Sequence, residues 1–128
     1  MGQPLILLVD DEIEFRKVMR EFLEFKGYAV LEAEEGQQAL QLLDQSPRQV
    51  RVIITDLLIP VMNGIELIHR LKSKSDSDHS KIPLIICSAS VSEYPALLNQ
   101  VEAHFLKPLS FKLLEEALKR VDKNDPLI

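Results

Sequence analysis

The 128-residue sequence contains a single cysteine, Cys87. One thiol makes neither a disulfide framework nor a zinc site. Its place in the run Leu84-Ile85-Ile86-Cys87 reads as a small buried hydrophobe. No apolar run approaches the ~18 residues of a membrane span, and no cationic leader with a hydrophobic core opens the chain. Met1-Gly2 is not followed by Ser or Thr at position 6, which is Ile, so a myristoylation signal is not met. Positive charge is in deficit: 15 Lys and Arg stand against 20 Asp and Glu, for a net charge of -5. That balance argues against nucleic-acid binding by this domain. There is no internal repeat. The expectation is one cytoplasmic domain, long enough to bury ~68% of its unfolded surface without a disulfide or metal.

What is present is a series of short apolar runs, several of which end in chemistry. Leu5-Ile6-Leu7-Leu8-Val9 runs into Asp10-Asp11-Glu12, and Val52-Ile53-Ile54-Thr55 runs into Asp56. Apolar runs without alternation predict strands covered on both faces, as in a parallel sheet. Between them lie helical spacings. Phe15, Val18, Met19 and Phe22 share one face, ending near Gly27, a natural residue just past a helix end. Ala39, Leu42 and Leu43 form a second face, and Gly64, Leu67, Ile68 and Leu71 a third. Tyr94, Leu97, Leu98 and Val101 predict a short fourth helix with Ser92 as N-cap and Pro95 in its first turn. Leu114, Ala117, Leu118 and Val121 complete a last helix capped by Ser110.

Further strands are predicted at Tyr28 to Leu31, Pro83 to Cys87 and His104 to Leu106. The serine-rich stretch from Lys72 to Lys81 is predicted to be an exposed connection, and residues 123–128 a frayed tail after a domain spanning 1–122. A βα unit repeated five times, with right-handed crossovers, predicts a flavodoxin-like (βα)5 fold. Its doubly wound parallel sheet has strand order 2-1-3-4-5 and a switch point between strands 1 and 3.

In that order Asp10, Asp11 and Asp56 gather at the carboxyl ends of adjacent strands. Two carboxylates ~4 Å apart repel by about 4 kcal/mol at an effective dielectric of about 20, so either some of them are protonated or a cation sits among them. Hard oxygen donors with room for water suit Mg²⁺, or Mn²⁺ in its place. Ser88 ends the fourth strand with a hydroxyl, and Lys107 ends the fifth with an ammonium. A cation, a hydroxyl and a metal around a carboxylate suit a phosphoryl group, whose oxygens need neutralising in transfer. Asp56 is the natural nucleophile, yielding an acyl phosphate.

These pieces together resemble the receiver domain of two-component response regulators, from about Leu5 to Val121. The matching residues are Asp10-Asp11, Asp56, Pro60, Gly64, Ser88-Ala89 and Lys107-Pro108. The resemblance implies that Asp56 accepts phosphate from a sensor histidine kinase or a histidine phosphotransfer protein. It implies that Asp11 and Asp56 bind Mg²⁺ directly, Asp10 largely through water, and the Leu58 carbonyl as a further ligand. Lys107 would pair with the phosphoryl oxygens, Ser88 would move to hydrogen-bond them, and the Lys107–Pro108 peptide would be cis. The sequence departs from the family pattern in three places. Ser88 stands where Thr is usual, and His104 holds the aromatic switch position. The stretch from Ser88 to Lys107 is about three residues short, with Pro95 inside it and no glycine before the fifth strand. The shortening puts the family's usual dimerising face in question. Apolar Leu58, which with Ser90 flanks the site, implies a phosphoryl lifetime that is not especially short.

Other classes fit less well. An aspartate-nucleophile phosphatase resembling the haloacid dehalogenases needs an acid two residues after Asp56, and position 58 is Leu. A nucleotide or flavin domain needs a Gly-rich loop after the first strand, and there is none. An interaction module that never meets phosphate has no use for the acidic set. The expectation is a switch acting only on its own phosphorylation, with its output partner outside this domain.

Overall fold

Leu5–Val9 forms β1, buried along its whole length, and Val50–Thr55 forms β3, buried except at Arg51. A strand covered on both faces has no polar side to present, and this is why these runs carry no alternation. The computed structural model describes residues 2–46, 49–73 and 78–122. The remaining strands are β2 (Ala29–Ala33), β4 (Leu84–Ser88) and β5 (Ala103–Leu106). All pairs are parallel, in the order β2-β1-β3-β4-β5. The predicted strands are recovered with ends shifted by a residue or two.

Among the described residues four α-helices cover the sheet: α1 (Ile13–Phe25), α2 (Gly36–Gln45), α3 (Gly64–Ser73) and α4 (Phe111–Asp122). Alternate strand residues sort into two cores. Leu7, Val9, Ile53 and Ile86 pack with Ala39, Leu43, Leu67 and Ile68 of α2 and α3. Ile6, Leu8, Val52 and Ile54 pack with Met19, Leu23, Leu114 and Leu118 of α1 and α4. The face expected for α1 needs correcting. Val18 is 49% exposed, and Leu23 takes its place in the core. Gly27, at φ +99°, follows α1 as predicted. The Ser110 hydroxyl accepts from Leu113 N at 3.3 Å, the cap expected for α4.

The predicted fourth helix does not form. Val91–Glu93 and Pro95–Gln100 are two short 3₁₀ turns. Leu97 N donates to Tyr94 O and Tyr94 N to Val91 O, an i to i−3 pattern. Pro95 has no N–H and keeps the residue before it out of the helical region, and Tyr94 sits at φ −131°, ψ 62°. Ser92 is therefore inside the first turn rather than capping a helix, and Ser90 precedes that turn. Val91 and Leu97 of this segment are buried in the core, and Tyr94, Leu98 and Val101 pack against it only partly buried. The face of β5 beneath it stays open: His104 is exposed, and Leu106 is 56% exposed.

The expected long connection is shorter than Lys72 to Lys81. Helix α3 runs to Ser73, and Asp78–Lys81 is a 3₁₀ turn. Positions 74–77, 47–48 and the tail 123–128 lie outside the described residues.

Cys87 is 1% exposed, and burial pushes its thiol up to about 12. Only the thiolate reacts with disulfide reagents. Native protein at pH 8 is therefore expected to give almost no reaction with a chromogenic aryl disulfide, and one equivalent in denaturant. Rapid reaction of folded protein would contradict this packing.

Candidate functional site

The register of the sheet brings the acids together. Val9 pairs with Thr55 across β1 and β3, so Asp10 and Asp56 leave adjacent strands at the same level. Asp56 N donates to Val9 O at 3.0 Å, and Asp10 N to Ala33 O at 3.0 Å. Lys107 follows β5, and its N–H donates to Ser88 O at 3.2 Å, bringing the lysine to the same end of the sheet. Pro108 follows through a cis peptide, as the resemblance implied.

The Lys107 ammonium lies between the two acids. Nζ donates to Asp10 Oδ2 at 2.8 Å and to Asp56 Oδ2 at 2.9 Å, with Glu12 Oε1 at 3.5 Å on the solvent side. The side chains of Lys107, Asp10 and Asp56 are 15%, 1% and 12% exposed. Away from water these charge-assisted bonds are strong. Burial disfavours the lysine's charge, but its bonds to Asp10 and Asp56 outweigh this and raise its pKa above the ordinary lysine value. Burial also pushes the Asp10 carboxyl up, while the Lys107 bond pulls it back.

The second oxygen of each acid is held by backbone. Asp56 Oδ1 accepts from Leu57 N at 2.6 Å and from Leu58 N at 3.3 Å. Asp10 Oδ1 accepts from Glu12 N at 2.9 Å. Asp11 is exposed at the rim. Ser88 is 1% exposed, and its hydroxyl accepts from Ser90 N at 3.2 Å, so it is engaged within its own turn. The Leu58 side chain is 52% exposed at the mouth. His104 stands across from Ile86, two residues short of the strand end, and is turned to solvent rather than into this cluster.

Several residues that position the site were not singled out for that role in the sequence. Arg16 of α1 donates through Nη1 to Asp10 O at 2.7 Å and through Nε to Glu32 Oε1 at 3.1 Å. It clamps the β1–α1 turn to β2. Glu32 pairs with both Arg16 and Arg20. Glu35 caps α2, accepting from Gln37 N and Gln38 N. The Phe15 ring lies under Lys107, with Nζ 4.1 Å from its centroid.

Two glycines allow the loops to close. Gly64 N donates to Leu57 O at 2.8 Å, and a Cβ there would stand 1.9 Å from Asp56 O. Gly36 N donates to Met62 O at 2.8 Å, tying the β2–α2 turn to the β3–α3 loop, and a Cβ there would meet Met62 O at 2.6 Å. In the same loop Val61 adopts φ +64° while 86% exposed, a conformation a β-branched residue tolerates poorly.

Among the described residues, no three acid, histidine or cysteine side chains converge as a ready metal cage. The Lys107 ammonium bridges the two inner acids instead. The donor set still fits Mg²⁺, which keeps several waters and needs only one or two carboxylates plus a phosphate. Asp10, Asp11, Glu12 and Asp56 outnumber the one ammonium and leave negative charge for a divalent ion to offset.

A parallel five-stranded sheet with one acid at the end of β3, an acidic pair after β1 and a lysine after β5 defines a phosphoacceptor α/β signalling domain. The family model for the response regulator receiver domain matches residues 6–119, and the chain belongs to that family. Chemotaxis protein CheY1 of Helicobacter pylori (strain ATCC 700392 / 26695) is 34% identical over 120 residues, covering 91% of this chain and 94% of that protein. The sensor histidine kinase TmoS of Ectopseudomonas mendocina is 35% identical over 111 residues, covering 84% of this chain. The match spans only 11% of that kinase's length. The structure of a response regulator receiver protein from Pseudomonas putida superposes with a TM-score of 0.83 at 24% identity, over 94% of this chain and 98% of that one. The domain is thus a phosphoacceptor of two-component signalling, in a family that is generally Mg²⁺-dependent and works with histidine kinases and output domains. No helix among the described residues is long and apolar enough to cross a membrane.

Replacing Gly64 with Ala would force the Asp56 backbone to move. We expect Gly64→Ala to cost about 3 kcal/mol, the upper end for overpacking. Val61→Gly should gain about 1 kcal/mol by removing a left-handed side-chain clash. Urea denaturation of both variants checks the two signs.

Proposed function

We propose that Asp56 is the residue phosphorylated, and that the donor is a phosphohistidine on a sensor kinase or a phosphotransfer protein. The observation that carries this reading is the Lys107 ammonium shared between Asp56 and Asp10. A carboxylate held at one oxygen by backbone N–H groups and at the other by a lysine is fixed in orientation before any donor arrives. An Asp56 oxygen attacks phosphorus, the P–N bond of the donor breaks, and its electron pair returns to the imidazole. Lys107 then follows the new negative charge, trading its bond to Asp56 for one to a phosphoryl oxygen while keeping Asp10. Ser88 leaves the Ser90 amide and turns its hydroxyl to a second phosphoryl oxygen.

Asp10, Asp11, Asp56 and the Leu58 carbonyl are the groups that would hold Mg²⁺, or Mn²⁺. Bound there, the ion supplies positive charge to the phosphoryl oxygens in transfer. His104, free on an open strand face, is the residue whose rotamer would follow Ser88. Leu58 offers no polar group to hold an attacking water, which favours a phosphoryl lifetime that is not especially short. The reading makes the chain a cytoplasmic switch rather than an enzyme acting on other substrates. On this reading residues 1–122 are the receiver domain and 123–128 a C-terminal tail. Its output domain or protein acts elsewhere, without direct contact of this domain with membrane or nucleic acid.

The test is acetyl phosphate, or beryllofluoride, with Mg²⁺. With acetyl phosphate, wild-type protein should gain one phosphoryl group by intact mass; beryllofluoride should bind without transferring one; Asp56→Asn should show neither. Asp11→Asn should fold normally yet need about tenfold more Mg²⁺ or beyond, the scale on which even outer-shell metal partners act. Equal phosphorylation of Asp56→Asn would overturn the assignment.

A further inference from the structure

Lysine has four rotatable bonds, and something must keep the Lys107 ammonium over the acids instead of in water. Two of its three N–H groups are used by Asp10 and Asp56. The third direction is contested. Glu12 Oε1 is 3.5 Å away, on a side chain 62% exposed, and offers a path out toward solvent. On the inner side stands the Phe15 ring, with Nζ 4.1 Å from its centroid. Phe15 lies in the first turn of α1, half-buried against the core shared by α1 and α4. That packing holds the ring beside the lysine.

We propose that Phe15 is a positioning residue for Lys107: its ring face holds the ammonium by a cation–π contact while the lysine passes from the Asp56 carboxylate to the phosphoryl oxygens. This rests on Asp56 being the phosphoacceptor. A hydrogen bond to one carboxylate oxygen fixes a single place for the ammonium. A ring face attracts a cation broadly, because the attraction comes from the whole π-system. Nζ can therefore slide along the ring as its partner changes without losing this contact. With an aliphatic side chain of similar size the inner side stays apolar but no longer attracts charge. The ammonium is then divided between the site and Glu12.

The test compares wild type, Phe15→Leu and Phe15→Tyr. In the unliganded wild type, proton NMR should find the Lys107 ε-methylene protons shifted upfield by the ring current, and Phe15→Leu should lose that shift. Wild-type ε-protons without an upfield shift would overturn the contact with no variant needed. Beryllofluoride affinity at saturating Mg²⁺ should fall roughly tenfold in Phe15→Leu, within the range of a desolvated cation–π contact. Phe15→Tyr, which keeps the ring, should restore it, and Mg²⁺ affinity alone should be alike in all three. Unchanged beryllofluoride affinity in Phe15→Leu, or Phe15→Tyr as weak as Phe15→Leu, would overturn the proposal while leaving the phosphoacceptor reading intact. A wild type that takes no beryllofluoride, yet has upfield ε-protons, would overturn the phosphoacceptor reading and the role in transfer that rests on it.

Discussion

One ammonium group makes the acidic end of this sheet possible. Asp10 and Asp56 emerge side by side from β1 and β3 because the parallel register leaves them no alternative. Both are largely removed from water, where like charges repel most. Lys107, arriving from β5, bonds to both at 2.8 and 2.9 Å. Its charge is retained in spite of burial because those two carboxylates surround it. The three residues depend on each other: without the lysine the acids repel, and without the acids the buried lysine is unpaired.

The rest of the structure holds those three strand ends at one level. The β1–β3 pairing sets Asp10 against Asp56, and the backbone contact of Lys107 with Ser88 sets the lysine's height. Arg16 pins the carbonyl of Asp10 from outside. Gly64 lets α3 begin almost against the Asp56 carbonyl, and Gly36 straps the neighbouring turn to the same loop. Ser88 ends β4, between the strands that deliver Asp56 and Lys107, with its hydroxyl already bonded to Ser90. In the proposed reaction a new phosphoryl group would have to win it from that partner, which would make the hydroxyl a two-position element biased by charge at Asp56. Beyond it, β5 lies under a segment too short and too proline-restricted to cover it. His104 and Leu106 are open to solvent as a result.

Much of this was legible in the sequence, and for physical reasons. Leu5 to Val9 and Val52 to Thr55 are strands buried on both faces, and an acid directly after such a run has few roles other than chemistry at the sheet's end. The strand order followed from the alternation of strands and helices, and Asp10, Asp56 and Lys107 meet as that order requires. The fourth helix was misread because Tyr94, Leu97, Leu98 and Val101 do have helical spacing. Spacing carries no record of how few residues are left once Pro95 removes an N–H. Arg16 and Glu32 were unreadable because a charged residue that clamps a turn looks like any surface charge in sequence. Phe15 had been assigned to a helix face, and nothing in its spacing tells which cation its ring would meet. His104 lies in β5, within the strand expected there, and is exposed beside the segment that forms no helix.

Asp56, and neither of its acidic neighbours, is the residue we propose to receive the phosphoryl group. Borohydride reduces an aspartyl phosphate to homoserine, which marks the modified position permanently. Protein treated with acetyl phosphate and Mg²⁺, reduced with borohydride, digested and sequenced by mass spectrometry should carry homoserine at position 56 alone. Homoserine at position 10 or 11, or phosphate retained on a serine or histidine with position 56 unchanged, would contradict it.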